Sequence, residues 1–130
     1  MSKPNSFSKP EHLCGETRIT NLFTEGSAFI AYPLRIVYLL ESGKNKEPAC
    51  VMVSVPKKRF KRAVKRNRLK RLMREAYRLN KQILIEKLEE RELQIQIAFN
   101  YVSNDESDFV TVENKMKVAL QKLLDKIEQV

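Results

Sequence analysis

One hundred and thirty residues, 42% of them apolar, suit a single domain with one modest core, and 25 Lys/Arg against 16 Asp/Glu leave a net charge of +9. No run approaches the roughly 18 apolar residues of a membrane span, and MSKPNSFSKPEHL has no apolar stretch of the secretory kind. Cys14 and Cys50 are far apart and outside a CxxC spacing, which argues against a disulfide framework or Cys-rich zinc site and for the reducing cytoplasm.

Residues 1–12, with Pro4 and Pro10, read as a flexible N-terminal arm, and 13–130 as one domain. Leu13, Ile19, Leu22 and Phe23 recur near helical spacing before Gly26, which predicts a short helix over Glu16–Glu25. A short strand fits Ala28–Tyr32. Leu34–Leu40 (LRIVYLL) and Ala49–Val55 (ACVMVSV) read as strands, and the polar Ser42–Pro48 between them predicts a hairpin. Pro56 has no N–H for a ladder and ends the second strand.

A helix is expected from near Arg62, running on through Gln82–Glu90. At 100° per residue Leu69, Leu72, Met73, Ala76 and Leu79 share one side, with Tyr77 at the edge of the apolar arc. Asn67, Lys70, Arg71, Arg74 and Arg78 fall opposite, within about 100°. Leu93–Phe99 (LQIQIAF) alternates with period two and predicts a strand buried on one face. After the polar stretch Asn100–Phe109, Thr111 is expected to cap a last helix with Val112, Met116, Ala119, Leu120, Leu123, Leu124 and Ile127 inward. The order is helix, strands, helix, strand, helix. It specifies an α+β domain with a central, mainly antiparallel sheet and helices packed on it.

Lys57 to Lys81 holds 13 Lys/Arg and one acid, Glu75, while the rest of the chain carries a net −3. The whole imbalance sits in one segment, which points to a polyanion bound at one place. Catalysis by the protein finds little support. His12 is the single histidine and, with Cys14, offers at most two metal ligands. No Ser/His/Asp set or Gly-rich phosphate loop is present, and Asp105, Glu106 and Asp108 read as a solvated acidic loop. Glu75 reads as a local partner for a neighbouring Arg. Neither catalytic residues nor a protein-held metal are expected; binding is.

The string from Arg62 to Arg78, RAVKRNRLKRLMREAYR, resembles the RNR signature of the bacterial ribonuclease P protein subunit. Arg66-Asn67-Arg68, Lys70-Arg71, Arg74-Glu75 and Arg78 follow an apolar strand and the pair Lys57-Lys58 at the family's offset. Leu13, Phe23 and Gly26 fit its N-terminal helix, and the element order matches over about 13–128. Cys14-Gly15 and Ile19 depart from the common pattern.

The resemblance implies a left-handed βαβ crossover, against the usual right-handed rule. It also implies a partner to a catalytic RNA that removes the 5′ leader of precursor tRNA with Mg²⁺ held mainly by the RNA, as one monomer per RNA, with neither membrane nor DNA involved. Arg62, Lys65, Arg66, Asn67, Arg68, Lys70, Arg71, Arg74 and Arg78 are then candidates for binding the RNA. Phe23, Tyr32, Arg35, Lys57 and Lys58 are candidates for the leader.

The chemistry of the residues agrees. Arg forks hold phosphates bidentately, Asn67 can donate and accept at a 2′-hydroxyl or base edge, and rings beside cations suit a single strand. A ribosomal-type RNA-binding protein would use the same basic helix. A DNA-binding regulator lacks a second helix for a helix-turn-helix and a heptad zipper. A localisation-like basic tract fits poorly with an amphipathic helix.

Overall fold

The structure, a computed structural model, describes residues 22–42 and 48–129. The expected arm 1–12, the expected first helix as far as residue 21, and residues 43–47 of the expected turn lie outside the described residues.

A helical turn at residues 22–25 stops at Gly26. The Gly26 N–H donates to the Leu22 carbonyl at 2.9 Å. A Cβ at this position meets the Leu22 oxygen at 2.3 Å and the Tyr38 carbonyl oxygen at 2.7 Å. Close backbone approach therefore requires the glycine. Gly26→Ala is expected to cost about 1–3 kcal/mol by forcing backbone apart, seen as a lower midpoint in urea unfolding.

The described chain continues as β1 (Ser27–Ala31), β2 (Leu34–Ser42), β3 (Ala49–Ser54), α1 (Ala63–Asn80), α2 (Gln82–Arg91), β4 (Leu93–Tyr101) and α3 (Phe109–Glu128). None of these helices is long and apolar enough to cross a membrane. Among the described residues the strands form one sheet in the order β1-β2-β4-β3. β1 and β2 are antiparallel around Tyr32-Pro33, so the short first strand is in place.

The expected hairpin of β2 with β3 is not. β4 lies between them, antiparallel to β2 from Leu34↔Tyr101 to Ser42↔Leu93 and parallel to β3 from Ala49↔Ile95 to Ser54↔Asn100. Burial explains this. β4 carries Leu93, Ile95, Ile97, Phe99 and Tyr101 into the main core and Ala98 into a second cluster on the opposite face. The expected one-sided burial holds: on the opposite face only Ala98 is fully buried, while Gln94, Gln96 and Asn100 stay half-buried, and a strand that gives five large side chains to the core loses most by standing at an edge.

β3 and β4 are joined by a crossover through α1 and α2. α1 turns Leu69, Met73, Ala76 and Tyr77 into the core. Each such large side chain contributes roughly 1.5–3 kcal/mol by leaving water. Leu72 is half-buried, and Leu79, expected inside, is 41% exposed. The buried arc is centred between Leu69 and Met73 because Tyr77 belongs to it, which leaves Leu79 about 100° away. The helix does not run on, since Lys81 closes α1 and opens α2, which buries Leu84 and Leu88.

All seven inward positions expected of α3 are buried. Its N-cap, however, is Asp108 and not Thr111: the Asp108 carboxylate accepts the Thr111 N–H at 2.9 Å. Only an extended residue before the first turn can fold its side chain back onto the free N–H groups, and Asp108 has φ −85° and ψ 172°. Thr111 holds this carboxyl below the ordinary aspartate value of 3.8 through its side chain and then its N–H. A folded-state pKa below the unfolded one adds stability above the unfolded value and loses it as pH falls through the folded one. Asp108→Ala should therefore lower the melting temperature at pH 7, with the difference from wild type closing below about pH 4.

Candidate nucleic-acid interface

The register fixes which residues gather at one end of the sheet. On the face away from the helices, Leu22, Val37, Cys50 and Ala98 pack together. At the end of that face the row Ile30–Arg35–Asn100–Ser54 crosses all four strands. β3 and β4 both finish there, so the β1–β2 turn, the segment entering α1 and the loop after β4 converge. The Val102 N–H donates to the Pro33 carbonyl at 2.8 Å, and Arg59 donates to the Asn104 side-chain oxygen at 3.0 Å.

This end collects four of the five candidates for the leader. Arg35 projects from the open face, with its carbonyl accepting the Asn100 side-chain amide at 3.3 Å. Tyr32 is 60% exposed in the turn. Lys57 and Lys58 are exposed just past the end of β3. The fifth, Phe23, is 46% exposed and adjoins Leu22, which packs on the same face.

The nine candidates around α1 divide into groups that counting charges does not separate. Asn67, Arg71 and Arg74 are exposed and Lys70 is half-buried. Lys70, Arg71 and Arg74 form no hydrogen bond or ion pair with the described residues; Arg71 and Arg74 lie on the side away from Leu69 and Met73, and Lys70 flanks the buried arc beside Tyr77. Arg78 shares that side but is clamped on Glu75: its Nε donates to one carboxylate oxygen at 3.1 Å and a second nitrogen to the other. The hydrogen bond from Arg78 holds the Glu75 carboxyl below its ordinary value, and the same bond raises the Arg78 pKa. Glu75 is thus the local partner that its spacing suggests.

Arg66 turns inward. It donates to the Phe60 and Lys61 carbonyls at 2.8 and 2.7 Å and so closes the turn that leads into α1. Arg62 is the exposed N-cap residue. Lys65 and Arg68 lie toward the loop after β4, where Glu106 sits 3.5 Å from the Lys65 Nζ and 3.6 Å from an Arg68 nitrogen.

Sequence reasoning read this loop as solvated acid and missed its contacts with Lys65, Arg68 and Arg59. Residues some forty positions apart in the chain have no local spacing to betray their contact. The buried Tyr101 at the end of β4 is the one signal: its hydroxyl donates to the Asp105 carbonyl and shares a 2.8 Å hydrogen bond with the Ser107 hydroxyl. Burial pushes the Tyr101 phenol upward.

A family model described as Ribonuclease P matches residues 7–124. The chain belongs to that family. It is 51% identical over 122 residues to the ribonuclease P protein component of Porphyromonas gingivalis, a match spanning 92% of this chain and 89% of that protein. Two solved structures have its fold at low identity. The Thermotoga maritima RNase P protein superposes with a TM-score of 0.67 at 21% identity, over 86% of this chain and 96% of that one. The Staphylococcus aureus RNase P protein does so at 0.65 and 17%, over 87% and 94%.

Membership in the ribonuclease P family makes the chain a component of a tRNA-processing ribonucleoprotein with endoribonuclease activity, and its partner is an RNA. The mixed sheet with β4 at its centre is therefore the family's architecture, and the cations of α1 stand on it.

Proposed function

We propose that the outward face of α1 binds the catalytic RNA of ribonuclease P, while the open sheet face takes the 5′ leader of precursor tRNA. The protein thereby assists Mg²⁺-dependent removal of the leader. The observation that carries this reading is the trio Lys70, Arg71 and Arg74. Among the described residues these cations have no acid to satisfy them, and they stand on a helix whose other side is locked into the core. Such a face replaces condensed counterions on a phosphate backbone, and the released ions drive association. Asn67, between Arg66 and Arg68, supplies a neutral donor and acceptor for a 2′-hydroxyl or a base edge.

The leader side follows the same chemistry. Arg35, Lys57 and Lys58 supply cations at one end of the sheet, and the Tyr32 and Phe23 rings supply surfaces on which bases stack. In this reading the Mg²⁺ ions and the cleaved bond belong to the RNA. The protein screens the repulsion between two polyanions and fixes where the leader leaves the stem. One protein serves one RNA, in the cytoplasm.

Reconstitution tests the proposal. The purified protein is added to the in vitro transcript of the ribonuclease P RNA from the same organism, with precursor tRNA, at low Mg²⁺. Stimulated 5′ cleavage that the protein alone does not produce is the expected result. Tight RNA binding without any change in cleavage would favour a purely structural RNA-binding role and overturn the proposal.

A further inference from the structure

The cleavage-assisting reading leaves the loop after β4 without a role, yet this loop is built with care. The Tyr101 hydroxyl bonds to Asp105 on one side of Glu106 and to Ser107 on the other. The Ser103 hydroxyl accepts the Asp105 N–H at 3.0 Å. The residues flanking Glu106 are thus held to a fully buried side chain, Asp105 by its carbonyl and Ser107 by its hydroxyl. What this presents to α1 is one carboxylate with its two oxygens divided between two cations, Lys65 at 3.5 Å and Arg68 at 3.6 Å. Arg68 also donates to the Ser107 carbonyl at 3.3 Å.

An anion held between a lysine and an arginine at the start of a basic helix occupies the position that a backbone phosphate would take. We propose that Glu106 is a built-in stand-in for one RNA phosphate, which the RNA displaces when Lys65 and Arg68 engage it. The inference rests on the RNA-binding reading of α1 and adds a subsite to it.

Displacement is cheap because the pair is open to water. Lys65, Arg68 and Glu106 keep 49%, 44% and 40% of their side-chain surface exposed, and exposed ion pairs of this kind hold weakly. The contact still has two consequences. It keeps two long cationic side chains ordered before RNA arrives, and it opposes weak anions that cannot displace a tethered carboxylate. A polyanion that engages Lys70, Arg71 and Arg74 at the same time outcompetes it.

The test measures binding of the full chain to the labelled ribonuclease P RNA transcript across a salt series. Glu106→Gln keeps the size of the side chain and removes its charge. It is expected to bind roughly threefold or more tightly at 0.15 M salt, with a salt slope steeper by up to about 0.9 for each cation unmasked. Glu89→Gln is the control for the change in total charge. It lies near the start of β4, a nine-residue strand that spans roughly 30 Å, several screening lengths from Glu106; its affinity should stay near wild type. In a Lys65→Ala, Arg68→Ala background most of the gain from Glu106→Gln should vanish.

If Glu106→Gln binds no better than Glu89→Gln, or binds more weakly, the stand-in is overturned, and Glu106 only positions the two cations. If the wild-type chain shows no salt-dependent affinity for the RNA, the RNA-binding reading itself fails.

Discussion

Replacing Lys70, Arg71 and Arg74 together by Ala should lower affinity for the ribonuclease P RNA by roughly a hundredfold at 0.15 M salt while the fold survives. On duplex-like RNA each neutralised phosphate adds about 0.9 to the salt slope, which makes each contact worth about fivefold at 0.15 M relative to 1 M. Three contacts compound to about a hundredfold and flatten the slope by about 2.7. The two proteins should therefore converge toward 1 M salt. Arg71 and Arg74 are exposed and Lys70 is half-buried, so the unfolding midpoint should move little, within about 0.5 kcal/mol per exposed site.

The choice of residues matters. Including Arg66 would confound the result, because its guanidinium holds the Phe60 and Lys61 carbonyls, and its loss would disturb the entry to α1. Arg78→Ala alone should weaken binding less than Arg71→Ala, since Arg78 is already paired with Glu75. A loss of affinity that did not depend on salt would remove the electrostatic account of this face.

The contrast between Arg66 and Arg71 shows what a chain of letters can reveal about such a site. Periodicity over twenty residues placed every inward side chain of α3, because a long amphipathic helix repeats one simple rule. On α1 it placed Asn67, Arg71 and Arg74 outward, while Lys70 and Arg78 are half-buried. It could not say which arginines the fold itself uses, since that depends on carbonyls and carboxylates brought in from elsewhere. Arg68 meets Ser107 across 39 residues, and nothing near Arg68 in the chain announces it.

Strand pairing failed for the same reason. β2 and β3 are neighbours in the chain with a polar turn between them, and local signals favour a hairpin. The partner that wins is β4, because the five large side chains it gives to the core outweigh adjacency. The cap of α3 differs in kind: Asp108 and Thr111 lie in one short segment, and either chemistry suits a helix start, so only backbone geometry decides.

The platform beneath the cations should fail at Phe99. This side chain is fully buried on the central strand, between Ile36 of β2 and Val53 of β3 in the same row. Its ring lies 5.8 Å from that of Tyr77 at 50°, so it joins α1 to the middle of the sheet. Truncating a buried Phe to Ala costs about 3–5 kcal/mol, a large part of the 5–15 kcal/mol typical of a whole domain.

Phe99→Ala should accordingly show a much lower urea midpoint with an unchanged slope, as a cavity alters stability and not the surface exposed on unfolding. It should also behave oppositely to the surface triple variant. RNA binds only the folded state, so saturating transcript should raise the Phe99→Ala midpoint by mass action, and the salt slope of binding should keep its wild-type value. A cost under about 1 kcal/mol would mean that Tyr77 and Phe99 do not tie α1 to the sheet. The basic face would then lack the fixed footing that lets it meet a phosphate backbone in one register.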